Sequence, residues 1–182
     1  MSAPDIPASK PSKRPSVPRW LALILGLIAW LVGVPLAHAG APWALSLIGH
    51  RYGWTGDSPA SWNLLGLILV LVGSACLIWV MAIGFAHAAE MRDRVALDWS
   101  PKVFLVRGPY ALSRNPMYVA ELALWLGWSV FYGSLAVFTS CLILCAMMNR
   151  IVRREERDLE VQFGTAYRHY KTTVPRWLGT PR

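Results

Sequence analysis

Met117 to Asn149 reads MYVAELALWLGWSVFYGSLAVFTSCLILCAMMN, an apolar run in which Glu121 is the only formally charged side chain. The run breaks near Tyr132-Gly133, which divides it into two helices of about 16 residues. At 1.5 Å per residue each rises about 24 Å, short of a hydrocarbon core of roughly 30 Å. The pair reads as a tight membrane hairpin whose ends must continue into the polar sequence on either side.

Two further apolar stretches precede it. Trp20 to about Leu36 is long enough to span, with basic residues before it and an aromatic at its boundary. Its basic start and the small residues Ala37-His38-Ala39 also resemble a signal peptide with a cleavage site, but the apolar stretch exceeds the usual range of about 7 to 15 residues. Trp62 to about His87 is the second span. Between them Ala39 to Ser61 carries Gly, Pro and Trp, and Ala44 to Ile48 is too short to cross, so it is expected to dip into the interface. Gly26 and Gly33, and Gly66 and Gly73, recur seven apart and would put small residues on one face for close helix contact.

The composition agrees. Of 182 residues, 55% are hydrophobic and 15% charged, and the mean hydropathy is +0.39, too apolar for a soluble domain. The fold class expected is an all-α integral membrane protein of about four transmembrane helices, ending in a helical hairpin and a cytoplasmic helical tail. Residues 1–19 would be a disordered basic tail, because almost no large apolar side chain is there to offset ordering. Residues 20–94 would be scaffold helices, and 95–182 the region that carries chemistry.

Net charge is +8, yet the basic residues flank apolar runs instead of forming a patch with base-stacking aromatics, which argues against nucleic acid. Of the 18 Lys and Arg, four precede the first span, Arg51 lies in the first loop, five separate the second and third spans, and eight follow Met148. That is 17 against 1, and the positive-inside rule puts both termini in the cytoplasm of a multi-pass protein, by expectation of a bacterial inner membrane. Cys76, Cys141 and Cys145 lie in apolar runs without metal-ligand spacing and read as packing residues, so no metal site is expected.

The residues suited to chemistry cluster on the basic side. Asn115-Pro116 opens the third helix as N-cap and first helical residue, with Arg114 just before it. Glu121 lies one turn into an apolar helix, where a carboxylate is costly and is a functional hypothesis by default. It shares a face with Tyr118, Trp125, Ser129 and Tyr132. If the fourth helix continues past Asn149, then Cys145, Met148, Val152, Leu159 and Phe163 form one apolar stripe. Glu156 falls inside that stripe and needs a partner, and Glu155 lies at its edge. Phe163-Gly164 ends the helix, and Tyr167 and Tyr170 share a face of a short helix beyond it. Lone histidines such as His169 are more often solvated than catalytic.

Two blocks together resemble the integral membrane methyltransferases, the family of isoprenylcysteine carboxyl methyltransferases and phospholipid N-methyltransferases. The first is Arg107-Gly108-Pro109-Tyr110 with Ser113-Arg114-Asn115-Pro116-Met117-Tyr118. The second is Glu155-Glu156-Arg157-Asp158-Leu159 with Phe163-Gly164-Thr165-Ala166-Tyr167-Arg168-His169-Tyr170 and Val174-Pro175-Arg176-Trp177. The resemblance covers about Val95 to Leu178.

It implies S-adenosylmethionine at the basic end of the hairpin, closed over by the C-terminal segment, and a lipophilic small-molecule or lipid acceptor entering from the membrane. The implied cofactor shell is Arg114, Asn115, Tyr118, Glu155, Glu156, Tyr167, Tyr170 and Arg176, with Glu121 and Arg114 as the catalytic candidates. Two positions depart from the family pattern: its frequent His is Asn115 here, and the Gly expected after the Tyr is Ala120, which would narrow the pocket. Among acceptors, carboxyl O-methylation stands slightly ahead of phospholipid amine N-methylation or small-thiol S-methylation. The readings from other classes are a non-catalytic membrane subunit and a b-type haem carrier. Haem is disfavoured because His38 and His50 would lie outside and His87 and His169 inside, leaving no axial pair at one depth.

Overall fold

A computed structural model describes residues 16–89, 94–96 and 105–179. Among the described residues, four long helices form the bundle: α1 (Trp20–Ser46), α2 (Leu65–Ala89), α3 (Pro116–Tyr132) and α4 (Leu135–Thr173). Three of them, α1, α2 and α4, hold stretches long and apolar enough to cross a membrane, and α3, at 17 residues, is the short one. The architecture is that of an all-α membrane protein. Most of the basic tail expected over residues 1–19 lies outside the described residues. Within it Ser16–Pro18 pairs antiparallel with Arg94–Ala96, so the start of α1 adjoins the segment that follows α2.

Two expected boundaries move. The first helix does not end at Leu36: it continues to Ser46 and includes two π-helical segments, Ala29–Gly33 and Leu36–Gly40. Ala37-His38-Ala39 therefore lies inside the span, and Ala44 to Ser46 forms its last turn in place of an interfacial dip. The hairpin is also unequal. α4 runs for 39 residues, so the tail that follows Asn149 is one helix with the fourth span. It bends at Gly164 (φ 54°, ψ −123°), a backbone conformation open essentially to glycine, and there the expected helix stop is found.

The α2–α3 contact is made by small residues. A Cβ on Gly66 would run into Gly127 O, and one on Gly73 would stand 2.8 Å from Ala120 O. Val70, Leu77, Ala120 and Leu124 fill the seam between them. Gly33, by contrast, has nothing within 4 Å of a built Cβ, so its place in the seven-residue spacing has no packing partner. Across α3 and α4 the core is Trp125, Val137 and Cys141. Cys145 is exposed, which corrects its reading as a packing residue and as a member of the α4 stripe. Met148 and Val152 are buried as expected.

The end of the bundle opposite the charged tail is held by a cap. Gly133 ends α3 in left-handed conformation, and its carbonyl accepts from Tyr52 N at 2.9 Å. Asn63, fully buried, donates to Tyr52 O (3.1 Å) and Val130 O (2.9 Å), and Trp54 Nε1 donates to Phe131 O. Arg51, the lone basic residue of the first loop, donates to Ser46 O and Oγ and lies over the Trp54 and Tyr132 rings at 5.2 Å. Its charge is used locally, in cation–π and hydrogen-bond contacts.

Candidate functional site

At the other end of the bundle the start of α3 meets the last residues of the described chain. Asn115 occupies the N-cap position and Pro116 the first helical position, but the Asn115 side chain makes no capping bond. Its Nδ2 donates instead to Arg176 O at 3.0 Å, and Ser113 Oγ donates to the same carbonyl at 3.2 Å. Arg114 N donates to Pro175 O at 2.9 Å. Three hydrogen bonds thus strap Val174–Trp177 to the loop before α3. Sequence reading gave Ser113 no role of its own, and a hydroxyl next to a cap residue carries no signal of a contact some 60 positions away.

Glu156 lies at the centre of this junction. It projects from the buried stripe of α4 and is 5% exposed. Arg176 donates to its Oε2 through Nε at 3.0 Å and through Nη2. Arg114 Nη1 approaches Oε1 to 3.0 Å as an ion pair, though not in hydrogen-bond alignment. Arg114 Nη1 and Glu156 Oε1 thus meet by charge without an aligned hydrogen bond, and Arg114 Nε is buried without a hydrogen-bond partner. Such atoms are costly unless something satisfies them. The bond to Glu156 raises the Arg176 pKa above its ordinary value, and two guanidinium groups against one carboxylate leave one positive charge over.

The remaining expected residues surround this cluster. Tyr118, on the first turn of α3, donates to Glu155 Oε1 at 2.9 Å. Tyr167 and Tyr170 lie beyond the Gly164 bend, both buried, with ring centroids 6.0 Å apart. Tyr170 Oη donates to Tyr110 O at 2.6 Å, which ties the terminal helix to the turn Gly108–Ala111. Burial, and then the nearby Glu155 carboxylate, raise the pKa of the Tyr110 phenol. A cavity of about 420 Å³ opens against the junction, lined by Arg114, Lys171, Pro175, Arg176 and Trp177 among others. That volume lies within the range of about 300 to 1,000 Å³ usual for small-molecule sites.

Glu121 is apart from this group, one turn further along α3 from Tyr118. Its Oε1 faces His38 Nε2 at 3.5 Å. The expectation that His38 lies outside the membrane is corrected, because α1 carries it within the span. His50 packs edge-on against Tyr52, and His169 is exposed. Ala120, expected to narrow the pocket, is 1% exposed and packs in the seam against α2.

Fold and site together define a membrane-embedded helical protein with a charged, partly enclosed pocket at one end of the bundle. The chain belongs to the phospholipid methyltransferase family, whose pattern matches residues 62–166. It is also 36% identical over 63 residues to an uncharacterized protein of Haemophilus influenzae, an alignment that covers 34% of this chain and all of that protein. No solved structure matches. The family match spans α2, α3 and α4 as far as Ala166, which includes Glu155 and Glu156, and leaves α1, Tyr167, Tyr170 and the Val174–Trp177 strap outside.

Proposed function

We propose that this protein transfers a methyl group from S-adenosylmethionine to an amine carried by a lipid or lipid-like acceptor. The observation that carries the reading is the Arg114–Glu156–Arg176 cluster, with its surplus positive charge and the unpaired Arg114 Nε beside the 420 Å³ cavity. A zwitterionic amino-acid moiety complements that arrangement. Its carboxylate suits the planar donors of Arg114, and its ammonium suits Glu156 Oε1. Glu155, oriented by Tyr118, is an acceptor for sugar hydroxyls, and the tyrosine faces of the terminal helix favour a cation nearby.

When bound, the cofactor supplies an electrophilic methyl group on a sulfonium. The protein's part is then to hold both reactants, align them and keep water out, which needs no covalent help from a side chain. The family supports methyl transfer to lipid-type acceptors. Glu121 favours nitrogen over the carboxyl group, since a carboxylate on the protein repels a carboxylate acceptor, whereas it attracts an ammonium and can take the proton that must leave before nitrogen attacks. The charge bias of the sequence supports a site that faces the cytoplasm, with both termini on that side.

Calorimetry on protein in detergent tests the reading: S-adenosylmethionine or its demethylated product should bind, and Glu156→Gln should weaken binding by at least about tenfold, as for loss of a charge-assisted contact. Absence of binding by the wild type at millimolar cofactor would sink it and favour a non-catalytic subunit. Mass spectrometry of membrane lipids incubated with labelled methyl donor would then identify the acceptor.

A further inference from the structure

The family match begins at residue 62, yet α1 places a histidine against the one carboxylate of the apolar α3. Ionisable side chains inside a span are expensive and seldom idle. His38 also lies on the π-helical segment Leu36–Gly40, just after Pro35, and single-turn π segments are frequent at functional sites. His38 Nδ1 is 2.9 Å from Val34 O. A carbonyl only accepts, so Nδ1 carries a hydrogen, and in the neutral ring Nε2 is a bare lone pair. That lone pair is buried, makes no hydrogen bond and faces Glu121 Oε1 at 3.5 Å. With the carboxylate ionised, two acceptors face each other, and the arrangement is completed by one proton placed between them.

An apolar cavity of about 240 Å³ adjoins the pair, lined by His38, Val34, Val70, Leu77, Leu124 and Trp128. Trp128 Nε1 is buried there without a partner. Leu124 and Trp128 lie one and two turns along α3 from Glu121, toward the cap, whereas Tyr118 and Glu155 lie one turn toward the basic end. An amphiphile with its hydrocarbon in this cavity therefore presents its head toward the charged cluster.

We propose that His38 and Glu121 form the proton-accepting corner of the acceptor site, and that the adjoining cavity holds the hydrocarbon chain of an amphiphilic amine. The pair takes one N–H proton of the ammonium, and the electron pair stays on nitrogen. That lone pair then forms the N–CH3 bond as the S–CH3 bond of the sulfonium donor breaks, its electrons passing to sulfur. Each transfer thus leaves one proton on the pair, to be released before the next. This deepens the methyl-transfer reading and rests on it for the chemistry, but occupancy of the cavity can be tested without it.

The probe is tetradecylamine with a mid-chain diazirine, photolysed with the full chain in phosphatidylcholine nanodiscs. Peptides that contain Val34 to Ala39 and Leu124 to Trp128 should be labelled. His38→Gln should cut that labelling by about tenfold, the size of one lost charge-assisted contact, and Ser74→Phe or Ala39→Phe, which put a ring into the cavity, should cut it by excluding the chain. Leu71→Phe, on an exposed face of α2, should leave it unchanged. Labelling spread over the exposed belt and indifferent to these substitutions would overturn the proposal, as would equal labelling by the carboxylic acid of the same chain. If cofactor binds and cavity labelling fails, this inference falls alone. If labelling holds and no cofactor binds, the methyl-transfer reading falls instead.

Discussion

Glu156→Gln should release the C-terminal strap from the bundle while the helices stay folded. The substitution keeps the shape of the side chain and one acceptor oxygen but removes the charge that holds two guanidinium groups. Loss of one partner from a buried ion pair costs about 3 to 5 kcal/mol, because the remaining charge is stranded. Here the stranded groups differ. The Arg114 side chain is 9% exposed and is largely enclosed by the junction, whereas that of Arg176 is 33% exposed and can turn outward. One trapped cation instead of two argues for the lower end, about 3 kcal/mol, which at 1.4 kcal/mol per decade shifts the closed-to-open ratio roughly a hundredfold. Hydrogen exchange by mass spectrometry on the cofactor-free protein reads this directly, as faster exchange in peptides from Tyr167 to Trp177 with no change in α2 or α3. Replacing Arg114 and Glu156 together by Met should restore much of the protection, since no charge is then left buried. Unchanged exchange in the single variant, or a double variant worse than the single, would refute the assignment of Glu156 as the clasp.

Other outcomes follow from contacts elsewhere in the bundle. Gly127→Leu should abolish the monodisperse peak in size-exclusion chromatography, because its Cβ alone would meet Gly66 O at 2.7 Å and Val70 N at 2.8 Å, whereas Gly33→Leu should leave the peak intact. Asn63→Ala strands the Tyr52 carbonyl at the cap and leaves that of Val130 with Gly133 N as donor, at about 1 to 3 kcal/mol, and should lower the thermal unfolding midpoint in detergent. Gly164→Ala meets no atom within 4 Å, so any loss there is backbone strain of about 1 to 3 kcal/mol. It should speed exchange beyond residue 164 without altering the cap.

Glu156 was legible because a carboxylate inside an apolar stripe contradicts the period of its own helix, and that contradiction needs only the α4 sequence to be seen. Gly164 was legible for a similar reason: a glycine after the last periodic residue marks a backbone conformation other residues avoid. What the sequence hides is pairing across distance. Asn115 has the residue type and place of an N-cap, and helix physics alone assigns its amide to its own backbone, yet the amide goes to Arg176 O because the strap brings that carbonyl closer to hand. His38 was hidden for another reason. Ala37-His38-Ala39-Gly40 lowers the local hydropathy and looks like a helix end, whereas the helix passes through it with a π-helical turn. The continuation of α4 past Asn149 was legible only from helical periodicity, through Val152, Leu159 and Phe163, because hydropathy ends at Asn149.

The two unsatisfied polar sites divide the labour of the bundle by charge. At the basic end, Arg114, Arg176 and Glu156 sum to one positive charge over, which a cofactor carboxylate would balance. Within the span, His38 and Glu121 sum to one negative charge when no proton lies between them, which an ammonium would balance. A low-dielectric setting enlarges both imbalances, so each pocket discriminates most strongly against a ligand of the wrong sign. A carboxylic acceptor suits only the first, where it would compete with the cofactor. An amine suits the second, and Tyr118, bonded to Glu155 and one turn from Glu121, lies on the path between them. Replacing Glu121 by Gln removes the negative charge but leaves α3 apolar, so it should spare cofactor binding by calorimetry while lowering turnover. Equal loss of cofactor binding in Glu121→Gln and Glu156→Gln would show that the two sites are one, and the separation of roles argued from their charges would fail.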